Sequence, residues 1–253
     1  MSTGGGGEGG DEAAPARTEA WQCDGRSQSE LVENLRAAGA FTSLKVGRAL
    51  LALDRRHYVR FSDFAYVDAP QKMGEGWSIS APHLHANALQ VLAPSLKPGA
   101  RCLDVGCGSG YVTAAMAWIA LGEPANLGQP APAATNGAMA VGIEIVPSAV
   151  TLAESIVESE YPALSDAITF RIANGWEFAG SELFDAIHVG AAVEDGSSIP
   201  QPLLDRLAPG GRMVICIGGM FLRIEKSLES RKVSAMVVYE GAGFTPLHLD
   251  GSS

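Results

Sequence analysis

The sequence predicts an α/β fold around a mostly parallel sheet, on three observations. From residue 101 onward, short apolar runs alternate with helix-length segments, which is the pattern of successive βαβ units. The runs are apolar nearly throughout rather than at every second position, as strands buried on both faces require. Beyond them, two further runs are separated only by a charged turn, too short for a helical crossover, so the C-terminal edge is expected to be an antiparallel hairpin. With 253 residues the chain can bury one core of good size, and a single domain is expected over 21–253.

The elements follow in chain order. Residues 1–20 combine Gly4 to Gly7 with Asp11, Glu12 and Pro15, a composition with too little apolar surface to offset its ordering entropy, and they read as a disordered tail. An N-terminal helical part is expected over 21–97. Ser27 with Glu30 three residues on makes a capping-box pattern ahead of Leu31 and Leu35, and Gly39 stands where that helix should stop. A second helix is expected over 44–53, then an irregular loop over 62–77 broken by Pro70, Gly74 and Gly76. Pro82 suits the first turn of a third helix, because proline lacks only a donor that the turn leaves unpaired.

The sheet core is expected over 98–253, with strands at 101–105, 140–145, 168–172, 184–189 and 212–217 and the hairpin at 221–225 and 234–239. Residues 123–137 hold Pro124, Pro130 and Pro132 with no periodic apolar face, and read as a surface insertion in the second βα unit.

Composition narrows the partners. A net charge of -10 disfavours a partner held through phosphates, since nucleic-acid affinity rests largely on Lys and Arg. The cysteines at 23, 102, 107 and 216 form no CxxC pair and no zinc spacing, so reduced thiols and no metal are expected. No basic, apolar leader opens the chain, and the apolar run 114–121 falls short of the roughly 18 residues a membrane span needs. A cytoplasmic protein without membrane contact is the expectation.

Chemistry concentrates in Leu103-Asp-Val-Gly-Cys-Gly-Ser-Gly110, directly after the first core strand and before a helix starting near Tyr111. Glycine lets backbone approach a ligand where a Cβ would clash. The GxGxG spacing differs from the dinucleotide GxGxxG, and Asp104 just ahead of it suits a cationic sulfonium amino acid better than a pyrophosphate. The bland alternative is a tight turn with packing glycines. A nucleoside in such a fold also needs an acid at the end of the second strand for its ribose hydroxyls, and Glu144, followed by Ile145, stands there. Its distance from Asp104 exceeds the roughly 20 residues usual in such units, and the 123–137 insertion accounts for the excess.

Further segments carry a resemblance: Leu53-Asp-Arg-Arg-His-Tyr58, Asp68-Ala-Pro-Gln71, Ile79-Ser-Ala-Pro-His-Leu-His-Ala86, Phe184-Asp-Ala-Ile-His-Val-Gly-Ala-Ala192 and Pro209-Gly-Gly-Arg212. With the glycine loop, they make residues 27–218 similar to the protein-L-isoaspartate (D-aspartate) O-methyltransferases. The resemblance implies a Rossmann-like class I methyltransferase with a seven-stranded, mostly parallel sheet, an antiparallel C-terminal edge and an N-terminal helical segment. It implies methyl transfer from S-adenosyl-L-methionine, leaving S-adenosyl-L-homocysteine, to the carboxylate of L-isoaspartyl and D-aspartyl residues. Isoaspartyl-containing peptides and proteins are then the partners, and a monomer is expected.

The resemblance also gives Ser80 the acceptor role, its hydroxyl bonding the isoaspartyl carboxylate; the alternative is a helix cap. The cofactor-binding residues become Asp104, Gly106, Cys107, Gly108, Gly110, Glu144, Ile145, Asn174 and Gly175. Asn174 stands where the family has an aspartate that meets the adenine amino group, and its amide oxygen can accept that bond without charge. His83 and His85, two apart, diverge on a helix and are expected to pack or hydrogen-bond rather than bind metal. His188, within an apolar strand, is expected to be a satisfied core histidine. The residues 241–247 resemble the family's closing strand only loosely. Two other readings stay open: a module that binds donor or damaged protein with weak turnover, and a methyltransferase for another small acceptor.

Overall fold

The computed structural model describes residues 23–74, 76–122, 139–178, 180–193 and 198–240. The expected tail at 1–20, the insertion at 123–137 and the closing stretch at 241–247 lie outside the described residues.

Helix α1 (Gln28–Ala37) starts where the Ser27 hydroxyl accepts from Glu30 N at 3.2 Å. The other half of the capping box is displaced by one residue, for the Glu30 carboxylate accepts from Arg26 N and Nε, both at 3.0 Å. Gly39 ends the turn at φ +82°, a value glycine adopts without a Cβ penalty. Helix α2 (Leu44–Ala52) ends against the buried Gln28 amide, which donates to Leu50 O at 2.6 Å and Leu53 O at 3.1 Å, carbonyls that a helix end would otherwise leave unpaired. The Gln28 oxygen accepts from Arg55 N at 3.1 Å, so α1 also fixes the start of a 3-10 turn at Arg55–Tyr58.

The stretch 62–77, expected to be an irregular loop, is more ordered than that. It holds a 3-10 turn (Ser62–Phe64) and an antiparallel hairpin of β1 (Gln71–Gly74) and β2 (Trp77–Ile79). Gly76, at φ +78°, serves the hairpin turn, and strands of 4 and 3 residues are too short to display a period in sequence. Helix α3 (Pro82–Leu92) follows, with Pro82 in its first turn and Ala81 as a cap residue without a capping side chain. The missing cap comes from outside: Asp68 Oδ1 accepts from His83 N at 3.0 Å and pairs with His83 Nδ1 at 2.8 Å.

The core continues as β3 (Arg101–Val105), α4 (Tyr111–Leu121), β4 (Met139–Glu144), α5 (Pro147–Glu160), β5 (Ile168–Ile172), β6 (Phe184–Val193), α6 (Gln201–Arg206), β7 (Leu207–Ile217), β8 (Met220–Lys226) and β9 (Val233–Glu240). The seven-stranded sheet has the order β5-β4-β3-β6-β7-β8-β9. Its first five strands run parallel; β8 pairs antiparallel with β7 and β9 antiparallel with β8, so β8 alone runs against the others. After β5 the chain returns to the opposite side of β3, so the strand order reverses between β3 and β6, the place where open α/β sheets form a crevice at their C-terminal strand ends.

Alternate strand residues separate two apolar layers. Cys102, Ala140, Ala186, Val214 and Cys216 join one continuous cluster with Leu31, Leu50 and Leu89 of the N-terminal helices. Leu103, Val141, Ile143, Ile187, Met213 and Ile215 face the opposite layer with Phe178, Phe184 and Leu203. Helix α4 is buried at every position, since it lies between the sheet and the N-terminal helices. Each such fully buried large side chain contributes about 1.5–3 kcal/mol relative to exposure. That packing holds the 80–85 segment over the ends of β3 and β6.

Candidate functional site

The glycine loop leaves β3 with Gly106 N and Cys107 N both donating to Ile143 O, at 2.9 and 3.1 Å, which pins it to the end of β4. Gly106, Gly108 and Gly110 have φ of +73°, +52° and +84°. Their surroundings divide the two readings of this loop. A Cβ at Gly110 would lie 2.8 Å from the Phe170 ring, so this glycine serves packing at the start of α4. At Gly106 and Gly108 a Cβ would meet nothing closer than 3.4 Å, and both residues line an open cleft.

That cleft opens between Trp77 and Ser78 on one side and Glu144, Ile145, Ala173 and Gly175 on the other. Glu144 is 8% exposed. Its Oε1 accepts from Ile145 N at 2.7 Å and Val146 N at 3.2 Å, and its Oε2 from Gly108 N at 3.1 Å. Three backbone donors hold the carboxylate in one orientation at the cleft wall, with accepting capacity left over for hydroxyls. Gly175 is required by packing, since a Cβ there would fall 2.4 Å from Val105 Cγ1. Asn174 stands beside the lining rather than in it, and the oxygen expected to meet adenine accepts from Trp176 N at 3.0 Å.

A second cleft shares Ser78, Gly106, Gly108 and Gly190 with the first and is walled by Ser80, His85, Asp104, Cys107, Tyr111 and His188. Ser80 thus meets the glycine loop across a gap that the fold, not the sequence, closes. It is not the helix cap; that position belongs to Ala81. The Ser80 carbonyl accepts from Arg55 Nη2 at 2.7 Å, which holds the segment in place beside the cleft. Burial pushes the Cys107 thiol well above its usual range, so it stays a neutral wall group.

Two sequence expectations need correction here. Asp104, expected to face a cation, is 1% exposed, and both its oxygens are taken: Thr113 Oγ1 donates at 2.6 Å and His188 Nδ1 lies at 2.7 Å. His188, expected to be satisfied, is so at Nδ1 only; its buried Nε2 has no partner among the described residues. The histidines at 83 and 85 diverge as expected, one to Asp68 and one to Arg55. Among the described residues no cluster of three or more His, Cys, Asp or Glu could hold a metal.

Trp77, Ser78, Gly190 and Ala191 were not singled out from sequence, yet they line the first cleft. Pairing of β6 with β7 slips between His188 and Ala192, and this irregularity turns Gly190 and Ala191 toward the glycine loop. The signal was present in Gly190, a glycine inside an otherwise apolar strand.

The chain is similar to known proteins over most of its length. The chain is 41% identical over 198 residues to protein-L-isoaspartate O-methyltransferase 1 of Arabidopsis thaliana, covering 76% of this chain and 77% of that protein. It is 39% identical over 202 residues to protein-L-isoaspartate O-methyltransferase 2 of the same plant, covering 77% of this chain but only 59% of the relative's length. A crystal structure of a putative protein-L-isoaspartate O-methyltransferase from Plasmodium falciparum, in complex with S-adenosyl-L-homocysteine, superposes with a TM-score of 0.75 at 28% identity, covering 88% of this chain and 99% of that one. The family profile described as protein-L-isoaspartate(D-aspartate) O-methyltransferase matches residues 26–247, nearly all of the described chain and both clefts included, and the chain belongs to that family.

Proposed function

We propose that the protein transfers a methyl group from S-adenosyl-L-methionine to the carboxylate of L-isoaspartyl and D-aspartyl residues in damaged proteins, initiating their repair. The observation that carries this reading is the junction of the two clefts at Gly106 and Gly108, with Glu144 on one side and Ser80 on the other.

The first cleft fits the donor. Gly106 and Gly108 let backbone close on the amino-acid part, Glu144 offers a fixed carboxylate to the ribose hydroxyls, and Ile145, Ala173 and Gly175 form an apolar wall for the base. When bound, the donor supplies a methyl group on a positively charged sulfur that is a good leaving group. The Asp104–His188 pair sets a negative potential beneath that charge. From the second cleft, Ser80 donates to the acceptor carboxylate and aims one oxygen at the methyl carbon. That carboxylate is ionised at neutral pH and already nucleophilic, so no residue has to remove a proton. The chain's work is therefore alignment, and exclusion of water by Trp77 and Tyr111 as opposite charges cancel. The methyl ester then collapses through a succinimide without further catalysis.

The acidic net charge of -10 favours protein over nucleic-acid acceptors. All four cysteines are buried and stand outside any disulfide among the described residues, which suits the cytosol, and no helix among the described residues is long and apolar enough to cross a membrane. We place the enzyme in the cytosol as a monomer; a dimer mass in light scattering would remove the second part of that statement. The decisive experiment supplies labelled donor with an isoaspartyl peptide and with its normal aspartyl twin. Label on the first peptide alone is expected. Donor binding without transfer would make the protein a binding module, and equal labelling of both peptides would end the isoaspartyl assignment.

A further inference from the structure

We propose that Arg55 and His85 form a positioning pair that makes the second cleft selective for a carboxylate anion. The proposal rests on the acceptor role of Ser80 given above and adds to it two residues and a reason for charge selectivity.

Arg55 is fully buried, at 0% exposure. The groups it touches are neutral: Nη1 lies 3.1 Å from His85 Nδ1, Nη2 donates to Ser80 O at 2.7 Å, and the guanidinium sits 5.8 Å from the centre of the Tyr111 ring. Its Nε has no hydrogen-bond partner among the described residues. The nearest influence of opposite sign is Asp68, which acts on Arg55 without an ion pair and is itself bound to His83 and Cys23. Burial pushes the guanidinium down to about 10, still charged at neutral pH. A buried cation without a contacting counter-ion is costly, and the cost falls when an anion arrives nearby.

His85 transmits this charge to the cleft. A guanidinium only donates, so Nδ1 of His85 must accept and the ring proton sits on Nε2. Burial first, and then the charge of Arg55, hold His85 well below the usual histidine range, which keeps the ring neutral in that single tautomer. The ring walls the second cleft together with Ser80. An acceptor carboxylate there receives the Ser80 hydroxyl on one oxygen and His85 Nε2–H on the other, with the Arg55 charge behind both. The carboxylate on the same wall, Asp104, does not compete, since its oxygens are turned to Thr113 and His188. A carboxamide in place of the carboxylate would lose the charge attraction and present an N–H to one of the two donors.

The test measures binding, in saturating S-adenosyl-L-homocysteine, of an isoaspartyl peptide and of its isoasparaginyl twin. Wild-type protein is expected to prefer the carboxylate. Arg55→Met and His85→Phe should each lower that preference at least tenfold while leaving S-adenosyl-L-homocysteine affinity within twofold, and His85→Gln, which can accept from Arg55 and donate to the cleft, should restore most of it. A preference unchanged in folded His85→Phe, or an equal loss for both peptides, overturns the pair and leaves the acceptor role of Ser80 standing. Wild-type protein that binds neither peptide overturns the isoaspartyl reading and the pair with it. Should Arg55→Met not fold, the two His85 variants decide by themselves.

Discussion

Asp104 and His188 are register partners on the adjacent parallel strands β3 and β6, and their side chains meet at 2.7 Å on the face toward the N-terminal helices. Neither residue reaches this contact through local sequence, since 84 positions separate them. Their pairing ties the glycine loop, which begins two residues after Asp104, to the strand that supplies Gly190.

Removing the Asp104 carboxylate leaves the Thr113 hydroxyl and His188 Nδ1 buried without an acceptor. Each orphaned group costs about 1–3 kcal/mol. Asp104→Ala should therefore lower stability and weaken S-adenosyl-L-methionine binding at least about tenfold, a loss of 1.4 kcal/mol or more. Calorimetry on the folded variant checks this, and unchanged affinity would show that the pair is only structural.

Gly106 sits at φ +73° on the lining of both clefts. A valine there adds a β-branched side chain in a backbone region such residues avoid, and places two methyl groups where donor backbone contact is expected. Loss of measurable donor binding is the expected result for Gly106→Val. Retained affinity in a variant with wild-type circular dichroism would contradict it.

Ser80→Ala should spare the fold, because the bond from Arg55 goes to the Ser80 carbonyl and survives the change. Only the hydroxyl is lost, worth about 1–3 kcal/mol to a charged acceptor, or a roughly 5- to 150-fold rise in KM for an isoaspartyl peptide. S-adenosyl-L-homocysteine affinity should not move. Equal steady-state kinetics toward the peptide would remove the acceptor role.

Asp68 yields a pH dependence. Burial alone would raise its carboxyl, but the bonds from the His83 side chain and backbone, with that from Cys23 N, more than offset it and hold the group below its usual 3.8. A carboxyl depressed in the folded state stabilises above its unfolded value of about 3.9 and loses that contribution as pH falls through the folded value. Asp68→Asn should therefore lower Tm by a constant amount between about pH 5 and 7, equivalent to about 1–3 kcal/mol. The gap should close below about pH 4. A gap that widens in acid would reverse the sign and refute the assignment.

What could be read from the sequence follows from what each feature depends on. The strand Ile168–Ile172 matched its expected bounds, because a βαβ pattern is set by the local sequence of apolar runs and helices. The hairpin at Gln71–Gly74 and Trp77–Ile79 did not show, since its strands span less than the window over which alternation can be recognised. In the cleft lining, the places of Glu144, Gly106 and Gly108 were legible because each follows from its own position at a strand end. The roles of His85 and His188 were not. They depend on Arg55, 30 residues away, and Asp104, 84 away, and a partner so distant decides which ring nitrogen is left for the cleft.

Asn174 and Gly175 divide a motif that sequence reading treats as one unit. Asn174 Oδ1 accepts from Trp176 N at 3.0 Å outside the cleft lining, and an aspartate at 174 would accept the same bond with a charge, which is at least as strong. Asn174→Asp should therefore fold as well as wild type and bind S-adenosyl-L-homocysteine at least as tightly. Gly175 has no such latitude, because a methyl group there would lie 2.4 Å from Val105 Cγ1 at the end of β3. Val105 itself lines the first cleft, so relief of the clash must push either β3 or the 173–175 wall into the donor's space. Gly175→Ala should cost about 1–3 kcal/mol by overpacking and weaken donor binding in the same variant. Thermal melts and calorimetry on both proteins check the contrast. A clear drop in donor affinity for Asn174→Asp would mean that Asn174 turns into the cleft when donor binds, and a Gly175→Ala variant as stable as wild type would mean that Val105 can yield without disturbing the sheet.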